Sequence, residues 1–371
     1  STACLVGSEM CIRDSLETDD VVDLVEDLEK GEQNRVLEAL EVGERIAVRN
    51  SLKYPENTAG RLMARELVMA PTHWNVGQTI DHLRKSTNLP MQFYDVVVID
   101  PMSKPIGKVP LSTLLRAQRS TALMDVVDEE FRTIPVGQSQ EDVAYAFNQY
   151  NMVSAPVVDE ENRLVGIITM DDAMEVLGDE ADKDIKLLGG VGDESLTDTI
   201  LATTRQRFPW LGFNLITSVL ASIVIAQFSA TIEAIVALAV LMPIVASMGG
   251  NAGTQTLTVA VRALATKDLT PANAWCVIRR EALVGFLNGL IFAAIIGCIG
   301  YYWYGLPMLG VVLALAMVIN LMMAGLAGIL VPLVLDQFNL DPALGSSALV
   351  TTVTDVVGFL AFLGFAAAIL F

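Results

Sequence analysis

One acidic residue lies inside the last apolar stretch of the chain, SSALVTTVTDVVGFLAFLGFAAAILF, at residues 346–371. A carboxylate in the middle of a membrane-length helix is costly, so it needs either a partner or a function. On a helix, Ser347, Thr351, Asp355 and Gly358 fall on one face, because successive members are four, four and three residues apart. A polar stripe of this kind should face the protein interior or an aqueous path.

The position of Asp355 along the helix, and the absence of bases expected at that depth, limit what its carboxylate can bind. With Asp341 as N-cap and Pro342 in the first turn, Asp355 would lie about 20 Å along the helix. No basic residue is expected at that depth, since the bases after residue 200 cluster near predicted span ends; they are Arg205, Arg207, Arg262, Lys267, Arg279 and Arg280. Two interpretations remain open: a hydrogen bond to a neighbouring helix, or a cation site.

A second polar segment interrupts another apolar stretch, at LMPIVASMGGNAGTQTLTVAVRAL, residues 241–264. Pro243 removes a backbone hydrogen bond, and Gly249, Gly250 and Asn251 add small or amide-bearing positions. Irregular or polar backbone at membrane depth is tolerated only against protein or a water-filled cavity, so the pattern predicts a broken helix that lines a pore. The alternative is close helix packing through small residues.

Charge divides the chain into two parts. The formal net charge is −19, and only six of the 43 acids and six of the 24 bases follow residue 200. The first part is therefore an acidic, water-soluble head. The second is long enough for five membrane spans of about 20 residues or more, predicted at residues 211–231, 234–263, 282–304, 308–335 and 344–371. Because the bases lie at one set of loops, we expect a cytoplasmic head and an external C-terminus.

The head contains an internal repeat. VVVIDPMSKPIGKVPLSTLL and PVVDEENRLVGIITMDDAM share an acid, Asp100 or Asp159, and a glycine seven residues later, Gly107 or Gly166. Both landmarks are offset by 59 residues, and each copy follows an amphipathic helix. The pattern resembles a tandem pair of CBS modules, which are α/β regulatory units; the alternative is a purely structural α/β spacer.

The expected fold is a multi-domain chain with an α-helical N-terminal remnant, tandem CBS (α/β) modules and an α-helical membrane domain with five transmembrane helices. We interpret residues 1–15 as non-native sequence, because SEMCIRDS resembles a translated sequencing adapter. The remaining boundaries are 16–60 for the end of a helical N-domain, 61–122 and 123–182 for the CBS modules, 183–207 for a connecting (plug) helix, and 208–371 for the membrane domain. The four cysteines imply neither a disulfide framework nor a zinc site.

Several acids of the head could form regulatory cation sites. Like charges close together repel, and divalent ions bound between them would favour a compact state. The candidate regulatory metal ligands are Asp171, Asp172, Glu175, Asp179, Asp100 and Asp159. The alternative for many of the acids is a solvated surface charge that keeps the head soluble.

The order of several motifs resembles that of the MgtE family of magnesium channels and transporters. These motifs are YPENTAG (54–60), the paired CBS-like modules, RFPWL (207–211), PIVASMGGNAGTQT (243–256) and TTVTDVVGF (351–359). The resemblance covers nearly everything from residue 16 onward, and a family member would carry a longer helical N-domain. It implies a multi-pass homodimer in the lipid of the bacterial inner membrane, with neither enzymatic activity nor a nucleic-acid partner.

The resemblance also assigns roles. It implies a pore between two subunits in which Asp355 binds hydrated Mg²⁺. From their chemistry, Asn251, Thr351 and the carbonyls around Gly249 and Gly250 are candidate outer-sphere partners of that ion. Oxygen ligands of this kind suit a hard cation that dehydrates reluctantly. The family's CBS modules suggest a nucleotide cofactor, but no residue here establishes one.

Three functions are compatible with a single acid in the last membrane helix. The first is a Mg²⁺ channel that cytosolic Mg²⁺ closes by binding to the acidic CBS region. The second is a carrier that exchanges Mg²⁺, Mn²⁺ or Co²⁺ for Na⁺ or H⁺ and uses Asp355 as its coupling site. The third, an intramembrane aspartyl protease, is the weakest, since only one acid lies at mid-membrane depth.

Overall fold

The computed structural model describes residues 18–26, 28, 30–86, 89–90, 92–192, 194, 199–338 and 340–370. The segment interpreted as non-native, residues 1–15, lies outside them. The chain divides into two compact units, residues 1–180 and 181–371.

The first unit begins with short helices. They are α1 (Thr18–Glu26), α2 (Lys30–Ala39), α3 (Val42–Ser51) and α4 (Ala59–Leu62). Val22, Leu37, Leu40 and Val48 form a small core between the first three, because apolar residues three and four positions apart share one helix face. The helical interpretation of residues 16–60 holds for the part that the structure describes.

The two halves of the repeat fold alike. The first contains β1 (Met69–Pro71), α5 (Val76–Lys85), β2 (Asp95–Ile99), β3 (Pro105–Pro110) and α6 (Leu111–Arg116). The second contains β4 (Ile134–Pro135), α7 (Gln140–Tyr150), β5 (Ser154–Val158), β6 (Leu164–Thr169) and α8 (Met170–Leu188). Each has a three-stranded sheet with one parallel and one antiparallel pairing.

The strand register reproduces the sequence repeat. Val98 pairs with Gly107 and Val157 pairs with Gly166, again at an offset of 59 residues. In the first copy glycine is required at position 107, because a Cβ there would lie 2.7 Å from the Asp128 carbonyl oxygen. The CBS-like pair is therefore confirmed as two copies of one α/β unit.

A buried carboxylate of the first module, Asp95, forms an ion pair within that module and a hydrogen bond to the second. The Asp95 carboxylate accepts hydrogen bonds from Lys108 Nζ at 2.8 Å and from Ser154 Oγ at 2.7 Å. Asp95 and Ser154 hold equivalent places in the two copies, so the contact lies where the repeated strands β2 and β5 approach each other. Paired and hydrogen-bonded in this way, the carboxylate can remain buried.

The connection between the two units differs from the prediction. A separate connecting helix at 183–207 is not what the structure shows: α8 continues to Leu188, and α9 (Ile200–Ala226) begins before the first span. The α8 segment contains one glycine, Gly178, and no proline, so nothing ends the helix before Leu188, whereas Gly190 adopts a left-handed φ of 72°. The first residues of the predicted connector thus belong to the end of α8, and its last residues belong to the start of α9.

The second unit is helical. After α9 come α10 (Ser229–Ala234), α11 (Ala237–Ala265), α12 (Ala274–Tyr304), α13 (Pro307–Gln337) and α14 (Ser346–Ile369). Within the described ranges, five of these helices, α9 and α11 to α14, are long and apolar enough to cross a membrane, as predicted. The most buried of the five is α13.

Two local expectations for the membrane helices are wrong. The helix α11 is continuous through Pro243 and the glycines instead of broken, because Gly249 and Gly253 admit neighbouring side chains rather than interrupt the backbone. Asp341 does not cap α14: its Oδ1 accepts the Ala343 N–H within a turn, and the helix begins at Ser346. Asp355 therefore lies about 14 Å along the helix.

Candidate functional site

Asp355 lies on a half-buried face of α14. Thr351 and Ser347, about one and two turns earlier, are also half-buried, whereas Gly358 is buried against α13. Across the described ranges, no hydrogen bond or ion pair holds the Asp355 carboxylate. The open alternative of a hydrogen bond to a neighbouring helix therefore finds no support, and the carboxylate is available to a ligand.

The helix α11 lies beside this face of α14. A Cβ at Gly253 would lie 2.5 Å from Val350 Cγ1, and one at Gly250 would lie 4.0 Å from Thr351 Cγ2. These contacts place the glycine segment of α11 next to the stretch of α14 that leads to Asp355. The sequence-predicted residues of the two helices are thus brought together.

The predicted outer-sphere partners differ in availability. Asn251 is exposed on α11, and its Nδ2 lies 3.5 Å from Ser247 Oγ. Thr351 Oγ1 donates to the Ser347 carbonyl at 2.9 Å. The Gly250 carbonyl accepts from Thr254 Oγ1 at 2.9 Å, so an unbroken α11 does not present it as a free oxygen. Of the two side chains in this set, Asn251 is the more exposed.

Sequence reasoning missed Asn320 on α13. Its side chain is fully buried, and its Nδ2 donates to the Val245 carbonyl of α11 at 2.7 Å. A single amide in the otherwise apolar run VLALAMVINLMMAGLAGIL was the signal that could have found it, because polar residues within membrane helices are rare and often functional.

A second site lies within the first unit. Seven carboxylates from α1 and α8 line one cavity of about 320 Å³, together with Asn57, Leu62, Gln140 and Val176. The seven are Asp19, Asp20, Asp23, Glu26, Asp172, Glu175 and Asp179. Among the described residues, no three acids are arranged to ligate one ion directly.

The electrostatics of this acidic cavity favour cation binding. Burial, and then repulsion from Glu175, Asp20, Asp172 and Asp179, raises the pKa of Asp23 to about 6. Burial also raises the pKa of Asp172, although its Oδ2 accepts hydrogen bonds from the Thr169 backbone N–H and hydroxyl. A divalent ion in the cavity would offset the cost of burial and of mutual repulsion for both carboxylates, because a nearby positive charge stabilises their ionised forms.

The other predicted regulatory acids lie outside the acidic cavity. Asp171 accepts from Thr169 Oγ1 at 2.5 Å. Asp100 Oδ1 accepts the N–H groups of Met102 and Lys104 in the turn between β2 and β3. Asp159 does the same in the equivalent turn and pairs with Arg163. Asp100 and Asp159 thus stabilise their own turns, and Asp171 lies in the first turn of α8. A regulatory role for these three acids stays a prediction.

We predict that the Mg²⁺-free protein gains stability as the pH falls from about 7 to about 5. The folded pKa of Asp23 exceeds its ordinary value of 3.8, so the folded state binds the proton more tightly and stability is lost as the pH rises through about 6. The thermal midpoint of the detergent-solubilised chain should rise by about 3 °C. Asp23→Asn should raise the midpoint at pH 7 and flatten the dependence; an unchanged pH dependence in that variant would contradict the assignment.

Three family profiles match successive parts of the chain. They are the MgtE intracellular N domain at residues 11–57, a CBS domain at 123–179, and the MgtE divalent cation transporter at 242–365. The first begins within the segment set aside as non-native.

Curated relatives extend the similarity along most of the chain. It is 32% identical over 320 residues to the "Magnesium transporter MgtE" of Enterococcus faecalis, covering 86% of this chain and 70% of the relative. Over 318 residues it is 34% identical to the protein of that name from Thermus thermophilus, covering 85% and 70%. The chain belongs to the MgtE family. It spans 70–78% of the length of the three curated relatives.

Solved structures of soluble parts of MgtE-type proteins are also similar. One is described as the soluble part of a magnesium transporter, at 31% identity and a TM-score of 0.43, covering 45% of this chain and 65% of that one. Another is the cytosolic domain of the Mg²⁺ channel MgtE in complex with ATP, at 28% identity and the same TM-score, covering 44% and 68%. In this MgtE-family chain, the profile of the cation transporter includes Asp355, Thr351, Asn251 and Asn320.

Proposed function

We propose that this chain forms a Mg²⁺ channel in a bacterial inner membrane, with Asp355 as the main ligand of the hydrated ion. The observation that carries the proposal is a half-buried carboxylate beside Thr351 and the glycine segment of α11, with no cationic partner in the described ranges. Mg²⁺ keeps several waters when it binds proteins, so one carboxylate with nearby polar groups suits it. The curated relatives named magnesium transporters support the choice of ion.

The channel is proposed to be a homodimer. Two membrane helices present polar side chains on faces that a single chain leaves exposed; they are Asn214, Ser218 and Ser222 on α9, and Ser247, Asn251, Thr254, Gln255 and Thr258 on α11. Amides facing lipid are costly, whereas a second copy or a water-filled path can satisfy them. Two copies would also bring two Asp355 side chains to one ion and offset its double charge.

Cytosolic Mg²⁺ is proposed to close the channel by binding in the acidic cavity. The seven carboxylates come from α1 and α8, and α8 continues to Leu188 in the segment that leads to α9. Ions bound between the two helices would stabilise the state in which they are close, which is a shift of population towards a compact head. The same chain segment would carry that change towards the first span. Nucleotide binding by the CBS modules stays a prediction.

Electrical recording in planar bilayers separates the channel from a carrier. We expect single-channel Mg²⁺ currents that fall when Mg²⁺ is raised on the side of the head. Saturating Mg²⁺ flux that requires a Na⁺ or H⁺ gradient, with no unitary currents, would instead establish the coupled carrier. We propose no catalytic reaction and no nucleic-acid partner. Membrane lipid is proposed to surround α9 and α12 to α14.

The proposed orientation places the head in the cytoplasm and residue 371 outside. It is supported by Arg205, Arg207, Arg262, Lys267, Arg279 and Arg280, all of which lie before the first span or around the loop between α11 and α12. A cysteine added after residue 371, in a background with Cys4, Cys11, Cys276 and Cys298 all changed to serine, should react with a membrane-impermeant maleimide from outside intact cells. Labelling only after the membrane is opened would reverse the orientation.

A further inference from the structure

The Asn320 carboxamide lies between α11 and α14. Its Nδ2 is anchored on the Val245 carbonyl at 2.7 Å, and its Oδ1 is buried without a hydrogen-bond partner among the described residues. A Cβ built on Gly358 would lie 2.9 Å from Nδ2 and 3.0 Å from both Cγ and Oδ1. Because the three distances are nearly equal, the amide plane lies face-on against Gly358.

Gly249 covers the opposite side of the same carboxamide. A Cβ at Gly249 would overlap Asn320 Nδ2 and lie 2.8 Å from Cγ and Oδ1. The backbones of α11 and α14 therefore approach one planar side chain from two sides, and the thickness of that side chain sets their separation. Only glycine permits this approach, since any side chain at either position would displace the amide.

The two glycines lie next to the residues proposed to bind the ion. Gly249 precedes Gly250 and Asn251 on α11, and Gly358 follows Asp355 by three residues, almost one helical turn. The Asn320 carboxamide, which sets the separation of α11 and α14 at Gly249 and Gly358, therefore also sets the distance between the nearby segments that carry Asn251 and Asp355.

Packing alone does not explain an amide at this position. A buried polar oxygen without a partner is costly, and an apolar side chain of similar volume would fill the same space without that cost. Polar groups retained at such a cost are more readily explained by function than by stability.

We propose that Asn320 is a positioning residue for ion selectivity, which rests on the proposed channel function. Held between Gly249 and Gly358, its carboxamide sets the spacing of the segments bearing Asn251 and Asp355. That spacing fits the hydrated Mg²⁺ ion and disfavours Ca²⁺, which is larger and gives up its waters more readily. Asn320 itself does not contact the ion.

The test compares Mg²⁺ and Ca²⁺ uptake into liposomes that contain the purified full chain. In Asn320→Ala the ratio of Mg²⁺ to Ca²⁺ uptake should fall about tenfold, which corresponds to about 1.4 kcal/mol between the two ions. Gly358→Ala, which displaces the carboxamide from the other side, should change the ratio in the same direction. A purely structural role would lower both fluxes in proportion and leave the ratio unchanged.

Matched controls separate this effect from general damage. Asn288→Ala removes an amide that is exposed on α12, and Gly364→Ala adds a Cβ on α14 where nothing lies within 4 Å; both should keep the wild-type ratio. An unchanged ratio in Asn320→Ala, or a failure of both Asn320→Ala and Gly358→Ala to fold, would overturn the proposal. A wild-type protein that carries no Mg²⁺ would overturn the channel function itself, so the two failures are distinguishable.

Discussion

Replacing Asp355 by alanine is expected to abolish Mg²⁺ conduction while the protein still folds and forms dimers. The carboxylate is the one charge on the polar face of α14, and no base compensates it among the described residues. At an effective dielectric near 20, a unit charge about 4 Å from another contributes about 4 kcal/mol. Removing that attraction at one carboxylate corresponds to a loss of more than about a hundredfold, since each 1.4 kcal/mol is a factor of ten.

The measurement is Mg²⁺ uptake into liposomes, normalised to the amount of dimer found by mass measurement in detergent. Asp355→Asn keeps the shape and removes the charge, so it should also lose most of the flux. Glu233→Ala is the control, because this acid is exposed on the short helix α10. Wild-type flux through folded Asp355→Ala dimers would show that the ion path uses other residues.

Neutralising the acidic cavity should leave the channel open at Mg²⁺ concentrations that close the wild type. The variant carries Asp23→Asn, Asp172→Asn, Glu175→Gln and Asp179→Asn, which take four of the seven carboxylates that line the cavity. Moving a two-state switch from 1:99 to 99:1 requires about 5.5 kcal/mol of differential binding. Loss of more than half of the ligating charge should remove much of that energy and raise the closing concentration at least about tenfold.

The control removes the same amount of charge from elsewhere in the head. Glu32, Glu129, Glu130 and Glu160 are exposed and lie outside the cavity, so changing all four to glutamine should leave the closing concentration near that of the wild type. Protection of the head from proteolysis by Mg²⁺ gives an independent readout, expected to be lost only in the cavity variant. Closure of both variants at the same Mg²⁺ concentration would place the sensor outside the cavity.

The membrane carboxylate could be found from the sequence because its signal is local. Asp355 stands out as one acid within an apolar stretch, and its helix face follows from spacings of three and four residues. The repeat was equally visible, since two copies at a fixed offset preserve the strand, turn and glycine of each unit. Regular elements are determined within a few residues of chain, so their periodic patterns can be read without coordinates.

The acidic cavity could be predicted only in part. The sequence indicated Asp172, Glu175 and Asp179, but it also suggested Asp100 and Asp159, which the structure places in the turns of their own hairpins. The cavity carboxylates of α1 were missed, because α1 and α8 are about 150 residues apart and their approach depends on how the N-terminal helices pack against the second module.

The sequence by itself determined the acidic head, the two CBS-like modules, the five apolar helices and the position of Asp355 along the last of them. Tertiary structure decided that α11 remains continuous, that Asn320 lies between Gly249 and Gly358, and that the acids of α1 and α8 share one cavity. The physical reason is that composition and periodicity record which face of each element avoids water. Contacts between distant residues depend instead on side-chain volumes and shapes at helix crossings, where one missing Cβ decides how closely two backbones approach.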